Sequence, residues 1–525
     1  MHMNHVAKQS AQATTIQQSN TLIQTSKTGR QSYPSIRASY LLLHQRHKPG
    51  RGSHAEPAAH CISAMASIPK LVILLLCTCL HTLVAHEGYD LRAYKVLHAG
   101  SLKSAAVNCS QPKVTPSSGG VTVPLHHRHG PCSPSPVPST KAPTLEEMLR
   151  RDQLRAAYIR RKYSGVKGGA GDMEQSDVTV PTTLGTSLDT LEYLITVGIG
   201  SPAMTQTMLI DTGSDVSWVQ CKPCSQCHTQ ADSLFDPSSS STYSPFSCSS
   251  AACAQLSQSH EGNGCSGSQC QYMVKYGDGS SGTGTYSSDK LALGSSSVSN
   301  FQFGCSQSES GNLLEDQTDG LMGLGGGAQS LATQTAGTFG KAFSYCLPPT
   351  PDSSGFLTLG AATSGFSKTQ MLRSSQVPSY YGVLLEAIRV GGRQLNIPAS
   401  VFSGRSIMDS GTIITRLPAT AYSALSSAFK AGMKQYPPAQ PMGIFDTCFD
   451  FSGQSTIKIP SVALAFSGEV IVDLATDGII LDSCLAFAAN SDDSSLGIIG
   501  NVQQRTIEVL YDVGGGAVGF KAGAC

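Results

Sequence analysis

The sequence predicts an all-β protein, mainly strands with short helices, folded into two similar lobes. Charged residues make up only 14% of the 525 residues, and Gly is abundant. From Leu191 onward, short apolar runs alternate with Gly and Ser turns, a pattern typical of strands. A motif around residue 211 recurs around residue 409. An internal repeat on this scale indicates two lobes related by a pseudo-twofold axis.

Charge divides the chain into two parts. Residues 1–175 contain 21 Lys and Arg against 8 Asp and Glu, whereas residues 176–525 contain 15 against 27. A basic arm could bind nucleic acid, but phosphate contacts need clustered Lys and Arg, and the body is acidic. We therefore expect a basic pro-segment that neutralises an acidic cleft, and no nucleic-acid partner.

One apolar run, Leu71 to Val84, stands out near the amino terminus. It is shorter than the about twenty residues of a membrane span and suits the core of a signal peptide. We predict a signal peptide at 65–85, preceded by an extension at 1–64 that comes from an over-extended start or resembles a transit peptide. The chain stops at Cys525 without an apolar tail, so no lipid anchor or stable membrane attachment is expected. The expected location is the secretory pathway, extracellular or vacuolar, with the plastid as the alternative.

Residues 86–175 are predicted to form the propeptide. A helix should begin after Thr144, which can form a capping box with Glu147. Apolar residues approximate one face of this helix and arginines cover much of the rest, namely Leu145, Leu149, Leu154 and Ile159 against Arg150, Arg151, Arg155, Arg160 and Arg161. The helix is either inhibitory or merely solvated. The Gly-rich stretch from Gly165 to Gly171 indicates a flexible junction.

The two repeated motifs carry the candidate chemistry. Asp211 and Asp409 each follow an apolar run and precede Thr-Gly-Ser or Ser-Gly-Thr. Each motif is followed, roughly a hundred residues later, by an apolar pair and Gly, at 320–325 and at 497–501. A single Asp-Thr-Gly is a common turn. Two copies of the motif, each followed by its own apolar-Gly segment, are much stronger evidence for a functional site than a single copy.

Two such loops that meet at a twofold axis can form a catalytic pair. Gly213 and Gly411 permit close approach of the backbone, and the hydroxyls of Ser214 and Thr412 can orient the carboxyl groups. Two adjacent carboxyls share one proton because both cannot ionise easily. The ionised carboxylate can then take a proton from water while the neutral acid donates to a carbonyl.

These motifs resemble those of the pepsin-like aspartic peptidases, and among them the plant nepenthesin-like group. The resemblance extends from about Leu191 to Cys525 and includes HRHGPCSP and LRRDQLR of the pro-segment. It implies a pepsin-like bilobal fold, with lobes at 176–363 and 364–525. It also implies a monomeric endopeptidase that acts on polypeptides at acidic pH, is made as a proenzyme and needs no cofactor or metal.

The resemblance also assigns a flap. KYGDGSSGTG at 275–284 matches the hairpin that closes over the substrate in this family, with Tyr276 as its hydroxyl-bearing residue. Trp218, the only Trp, matches the residue behind the flap. An ordinary strand tyrosine is the alternative for Tyr276, although the Gly-Asp-Gly sequence favours a hairpin in either case.

Twelve cysteines lie in the acidic body, an even number that suits six disulfides in an oxidising compartment. Cys221, Cys224 and Cys227 could instead bind zinc, but no second ligand pair follows at finger spacing. The resemblance implies six pairs, Cys221–Cys224, Cys227–Cys305, Cys248–Cys270, Cys253–Cys265, Cys346–Cys525 and Cys448–Cys484.

Two other functions compete with the peptidase. Relatives of the pepsin-like fold include plant inhibitors of xylan-degrading enzymes, which keep the shape without catalysis. Those relatives typically lose or distort one Asp loop, and both loops are intact here. A plastid peptidase that binds nucleic acid would use the basic amino terminus, but the acidic body disfavours it. The charge division further predicts that acidification loosens the pro-segment, which is then cut between about Gly165 and Val180.

Overall fold

The computed structural model describes residues 93–98, 120–134, 144–164, 193–276, 280–311, 313, 318–350 and 353–525. All of these residues belong to one compact unit, Leu76–Cys525. The predicted extension, the signal peptide, the Gly-rich junction and much of the propeptide lie outside the described residues. The predicted boundaries of these segments and of the two lobes stay predictions.

Strands dominate the described part of the chain, so the all-β prediction is confirmed. The first fourteen are β1 Tyr94–His98, β2 Val121–His127, β3 Tyr193–Ile199, β4 Met204–Asp211, β5 Trp218–Gln220, β6 Ser244–Pro245, β7 Gly262–Ser266, β8 Gln269–Lys275, β9 Ser281–Leu293, β10 Ser296–Ser310, β11 Gly320–Gly323, β12 Ala342–Cys346, β13 Ser354–Leu359 and β14 Ser367–Gln370. The others are β15 Tyr381–Val383, β16 Leu385–Val390, β17 Arg393–Gln394, β18 Ser406–Met408, β19 Thr415–Leu417, β20 Thr456–Pro460, β21 Val462–Phe466, β22 Val470–Asp473, β23 Ile480–Leu481, β24 Cys484–Leu485, β25 Phe487–Ala489, β26 Gly497–Ile499, β27 Ile507–Asp512 and β28 Ala517–Ala522.

Helices are few and mostly short in the same described ranges. They are α1 Leu145–Tyr163, α2 Ala251–Gln258, α3 Leu331–Gln334, α4 Ala336–Phe339 and α5 Ala419–Gly432, with 3₁₀ turns at Pro237–Ser239, Ala399–Phe402, Thr476–Gly478 and Asn501–Gln504.

The strands are arranged mainly in three sheets. A fifteen-stranded sheet has the order β14-β28-β27-β12-β13-β2-β3-β4-β11-β5-β10-β9-β8-β7, with β6 paired to β9. A five-stranded sheet has the order β15-β18-β26-β19-β25, and a four-stranded sheet the order β17-β16-β21-β22. Two two-stranded sheets, β1-β20 and β23-β24, complete the pairings in the described ranges.

The sequence repeat corresponds to a repeat in topology. β4, which ends at Asp211, pairs in parallel with β11, and β11 pairs antiparallel with β5. β18, which precedes Asp409, pairs in parallel with β26, and β26 pairs antiparallel with β19. The later apolar-Gly segments are therefore the strands that flank the two Asp strands, and they fix where each Asp loop begins.

Three elements of the amino-terminal segment pack against the body, and the first of them, β1, pairs antiparallel with β20. Strand β2 lies between β13 and β3 in the large sheet, with Val121 to His126 opposite Leu359 to Ser354. Helix α1 begins as predicted, because the Thr144 hydroxyl accepts a hydrogen bond from the Glu147 N–H at 3.2 Å. The predicted segregation of apolar and basic faces is only partly correct, since Arg151 and Asp152 are buried beside Leu149.

The disulfides differ in part from the predicted pairs. Cys346–Cys525 and Cys448–Cys484 are as predicted. Four predicted pairs are wrong, and the structure instead forms Cys221–Cys305, Cys224–Cys227, Cys248–Cys265 and Cys253–Cys270. Because these bridges use Cys221, Cys224 and Cys227, the thiolates that a zinc site would need are not available.

Local geometry explains the correct pairs. β5 and β10 are parallel neighbours, so the Cα of Cys221, just after β5, lies 5.4 Å from that of Cys305 in β10. Cys253 on the buried side of α2 meets the buried Cys270 of β8, whereas Cys265 is exposed and joins the half-buried Cys248. The two buried cysteines therefore pair with each other, and so do the two more exposed ones. The spacing of the cysteines in the sequence does not reveal this burial.

We predict that a non-reducing peptide map will link Cys253 to Cys270 and Cys221 to Cys305. The full-length protein would be digested without reduction, and the linked peptides identified by mass spectrometry before and after reduction. Recovery of Cys253 linked to Cys265 would contradict the structure. Thiol labelling of the denatured, unreduced protein serves as the control and should leave all twelve body cysteines unlabelled.

Candidate active site

Asp211 and Asp409 lie on two matching loops where the paired sheets meet. Asp211 is the last residue of β4, and Asp409 directly follows β18. Both side chains are fully buried. Each therefore leaves a buried strand into a tight turn, as the repeat of the motif predicts.

Donors within each loop hold the carboxyl groups. The Ser214 hydroxyl donates to Asp211 Oδ2 at 2.5 Å, and the Gly213 N–H donates to Asp211 Oδ1 at 2.8 Å. In the second loop, the Thr412 hydroxyl donates to Asp409 Oδ2 at 2.5 Å. These bonds fix the orientation of both groups, because an ionised carboxylate accepts hydrogen bonds in defined directions.

Reciprocal hydrogen bonds join the two loops. The Thr212 N–H donates to the Ser410 hydroxyl at 3.1 Å, and the Ser410 N–H donates to the Thr212 hydroxyl at 2.9 Å. Asn501, which follows β26, donates from Nδ2 to the Ser410 carbonyl at 3.0 Å. All three residues are buried. The hydroxyls of Thr212 and Ser410 were not predicted to interact. Each is the middle residue of its Asp motif, and nothing in the local sequence indicates a hydrogen-bond partner 198 positions away.

The loops approach so closely that Gly213 leaves no room for a side chain. A Cβ atom at this position would lie 2.8 Å from Asp409 Oδ1 and 3.3 Å from Asp211 Oδ1. A real Cβ atom does not tolerate the first of these contacts. The predicted need for glycine here is therefore explained by the carboxyl of the opposite loop.

Arg155 of helix α1 bridges the two carboxyl groups. Its Nη2 lies 2.7 Å from Asp211 Oδ1 and 2.9 Å from Asp409 Oδ1, and its Nε donates to Asp409 Oδ2 at 3.1 Å. Only 10% of the Arg155 side chain is exposed. One planar guanidinium thus satisfies both carboxylates at once, a geometry suited to Arg.

The pKa values of Asp409 and Arg155 reflect the close approach of these buried charged groups. Burial raises the pKa of the Asp409 carboxyl above its ordinary value of 3.8, Arg155 opposes the rise, and Asp211 adds to it. Burial alone would lower the pKa of Arg155, but the attraction of Asp211 and Asp409 outweighs it and raises that pKa. The guanidinium therefore stays charged between the two acids.

The predicted flap residues contact each other. Strands β8 and β9 form an antiparallel hairpin, closed by a hydrogen bond from the Tyr276 N–H to the Ser280 carbonyl at 3.0 Å. The indole Nε1 of Trp218 donates to the Tyr276 hydroxyl at 2.8 Å. Residues 277–279 at the hairpin end lie outside the described residues. Tyr276 and Trp218 are thus brought together beside the cleft, although their roles stay predictions.

Helix α1 is also anchored on both sides of Arg155. The Asp152 carboxylate accepts hydrogen bonds from the Ile413 N–H at 2.6 Å and from Arg416 Nη2 at 2.7 Å. Leu149 packs in an apolar cluster with Ile413, and Ile159 packs in another with Tyr380. Neither Asp152 nor Arg416 was among the residues that the sequence predicted to form the site. An acid within an arginine-rich helix was the only available signal.

A cavity of about 330 Å³ remains between α1 and the hairpin. Helix residues such as Tyr158 and Lys162 line one side, and Tyr276 and Glu261 line the other. Burial, with a contribution from Asp215, raises the pKa of Glu261 to about 7. The helix therefore lies in a groove that includes this cavity and that Gly213 and Ser214 of the first Asp loop also line.

The described residues provide no cluster of three or more His, Cys, Asp or Glu that could hold a metal ion. Among the helices in those residues, none is both long and apolar enough to cross a membrane.

Comparison with family models gives two adjoining matches. The model described as xylanase inhibitor N-terminal matches residues 193–361, and the model described as xylanase inhibitor C-terminal matches residues 380–522. The two matches cover one Asp loop each.

Curated relatives are similar over most of the chain. An aspartyl protease family protein of Arabidopsis thaliana is 41% identical over 472 residues, which cover 86% of this chain and 98% of the relative. The aspartic proteinase nepenthesin-2 of Nepenthes gracilis is 34% identical over 437 residues, which cover 78% of this chain and 95% of that protein.

Solved structures share the fold at low sequence identity. The crystal structure of edgp aligns with a TM-score of 0.52 at 20% identity and covers 63% of this chain and 92% of that chain. Basic 7S globulin from soybean aligns with a TM-score of 0.50 at 20% identity, over 63% and 90% of the two chains.

We predict that Thr212→Val will destabilise the full-length protein by about 1–3 kcal/mol, because it leaves the buried Ser410 N–H without its acceptor. The midpoint of thermal unfolding should fall by a few degrees. Thr456→Val, the same substitution at an exposed position of β20, is the matched control and should stay close to wild type. Equal midpoints for the two variants would contradict a stabilising bond between the loops.

Proposed function

Because the chain belongs to the pepsin-like plant aspartic protease family, we propose that it is an aspartic endopeptidase made as a proenzyme. One observation supports this most directly. Two buried carboxyl groups on matching loops lie close enough for one guanidinium nitrogen of Arg155 to contact both. With that guanidinium gone, the same oxygens can hold a water molecule.

The proposed mechanism uses the pair as one unit. Asp211 and Asp409 share a single proton, because burial and mutual repulsion oppose a second ionisation. The ionised carboxylate removes a proton from the water as it attacks the scissile carbonyl, and the protonated carboxyl donates to the carbonyl oxygen. Ser214 and Thr412 hold the oxygens in position, and Tyr276 of the hairpin helps to position the substrate.

An inhibitor or binding protein on the same fold is the second candidate. The descriptions of the two matching family models favour it, since both name a xylanase inhibitor. The intact loops argue for catalysis, because each carboxyl keeps its own hydroxyl donor and both face one guanidinium. Measured peptide cleavage decides between the two functions.

The proenzyme proposal rests on where helix α1 lies. Arg155 occupies the oxygens that a catalytic water would need, and Leu149 and Ile159 fill apolar sites on either side. A substrate cannot reach the pair while this helix is in place. Cleavage between about Gly165 and Val180 would break the covalent link between the helix and the body.

Protonation of Asp152 does not release the helix at acidic pH. Burial raises the pKa of Asp152 above its ordinary 3.8, although Arg416 and the Ile413 N–H oppose the rise. Asp152 therefore binds a proton more tightly under the helix than in solution, and it favours the closed form as the pH falls through that raised pKa. Release at acidic pH must come from the other carboxylates of the acidic body, and it is completed by chain cleavage.

The remaining expectations are part of the same proposal. Polypeptides are the substrates, the protein acts as a monomer without a cofactor, and it works at acidic pH in an extracellular or vacuolar compartment. Digestion of a denatured protein mixture at several pH values, with cleavage sites identified by mass spectrometry, tests the substrate class and the pH dependence.

We predict that Asp211→Asn and Asp409→Asn will each lower kcat by about 10²–10⁴-fold or more, because either change removes the shared proton chemistry. Activity would be measured on a quenched-fluorescence peptide after activation with a trace of wild-type enzyme, which is subtracted. Tyr276→Phe is the comparison variant and should have a milder effect. Substantial turnover by either Asn variant would exclude the catalytic pair.

We predict that Arg155→Gln will allow the precursor to activate faster and at higher pH. Removing the guanidinium leaves two acids buried under the helix without a counter-charge, which destabilises the closed form by about 3–5 kcal/mol. The appearance of the shortened chain and of activity would be followed between about pH 3 and 7.

Arg161→Gln is the matched control, since it makes the same charge change at an exposed position of α1. It should activate like wild type. If Arg155→Gln also matched wild type, or if the uncut precursor were fully active at neutral pH, the inhibitory role of the helix would be excluded.

A further inference from the structure

The body provides three donors to one carboxylate of helix α1. Asp152 accepts hydrogen bonds from the Ile413 N–H at 2.6 Å, from the Ile414 N–H at 3.3 Å and from Arg416 Nη2 at 2.7 Å. The Asp152 side chain is fully buried, and only 3% of the Arg416 side chain is exposed. These contacts form a complete binding site for a carboxylate.

The donors and the acceptor belong to different parts of the precursor. Ile413, Ile414 and Arg416 lie in the peptidase body, whereas Asp152 lies in the segment that activation removes. Loss of Asp152 leaves a guanidinium and two N–H groups without their present acceptor, so these donors become available to a carboxyl group of another molecule. The buried Nε of Arg416 already has no hydrogen-bond partner among the described residues.

In the part of the chain that the structure describes, Asp152 is the only carboxylate hydrogen-bonded to Arg416 and to the Ile413 and Ile414 N–H groups. Asp492 is the body acid that influences this end of the helix, through its attraction to Arg160. Its oxygens accept hydrogen bonds from the N–H groups and hydroxyls of Ser494 and Ser495 in its own loop. Asp492 is therefore committed to the loop that contains it.

The site lies beside the catalytic pair. Ile413 follows Thr412, whose hydroxyl holds Asp409. Asp152 precedes Arg155 by three residues on the same helix, a rise of about 4.5 Å. An extended peptide rises about 3.3 Å per residue. The carboxylate site is thus within one or two residues of the bond that the pair would cleave.

We infer that the mature enzyme uses this site to bind an acidic side chain of its substrate, an Asp or Glu near the scissile bond. Arg416 is the specificity-determining residue, and Asp152 occupies its site in the precursor. This inference rests on the proposed peptidase function. Arg suits the role because it keeps its charge when buried, whereas a buried Lys readily loses its proton, and Nη2 of Arg416 already donates to a carboxyl group.

The test uses the enzyme obtained by activating the full-length precursor. The substrates are a set of peptides that share one cleavable sequence. Asp is placed in turn at each of three positions on either side of the scissile bond, and every peptide has an Asn twin of the same shape. Cleavage is measured near pH 5, where a peptide Asp is ionised. At one position we expect kcat/KM for the Asp peptide to exceed that of its Asn twin by about tenfold or more, as a hydrogen-bonded charge pair would give.

Variants then assign the preference to Arg416. Arg416→Gln should bring the Asp-to-Asn ratio close to one, and Arg416→Lys should keep part of it. Arg393→Gln, an exposed arginine on β17, should leave the ratio unchanged. A purely structural role for Arg416 would lower both rates in parallel and preserve the ratio, and this result would overturn the inference.

If Arg416→Gln does not fold, the comparison of Asp and Asn peptides with the wild-type enzyme still tests the carboxylate site. Equal cleavage of Asp and Asn peptides at every position would overturn the carboxylate site while leaving the peptidase proposal intact. Failure to cleave any peptide would overturn the peptidase proposal, and the inference with it.

Discussion

The reciprocal hydrogen bonds between Thr212 and Ser410 are the constraint on which the cleft depends. They tie two loops from different sheets at a fixed distance, so the carboxyls of Asp211 and Asp409 must face each other in a buried gap. That proximity excludes a side chain at Gly213. It also produces a concentrated negative charge that only a bound proton or a cation can relieve.

Helix α1 is complementary in charge and polarity to the residues of the body that it contacts. Its cation, Arg155, meets the acids, and its buried acid, Asp152, meets the cation Arg416. Its apolar residues Leu149 and Ile159 enter apolar clusters on the two sides. A segment that matches the groove so closely in charge and polarity describes the chemistry that a natural ligand would present there.

Much of this arrangement could be predicted from the sequence, because its signals are local or repeated. The duplicated Asp motifs and their apolar partner strands predicted the topology, and the Thr144 cap predicted where α1 begins. Contacts set by tertiary packing were not predictable. The choice of Cys270 over Cys265 as partner of Cys253 depends on which face of α2 is buried. The role of Asp152 depends on Arg416 in β19. The two residues are 264 positions apart, and nothing in the sequence indicates that they meet.

The position of strand β2 affects how the amino-terminal segment can be removed from the body. Six of its residues pair with β13 inside the large sheet, so this part of the amino-terminal segment is built into the architecture and does not merely cover it. If β2 departs, a row of unpaired N–H and C=O groups opens in the middle of the sheet, where new strands readily add. If activation removes the amino-terminal segment as proposed, a cut in the chain is therefore not enough, because the pairing of β2 with β13 must also be broken, whereas helix α1 forms no strand pairing.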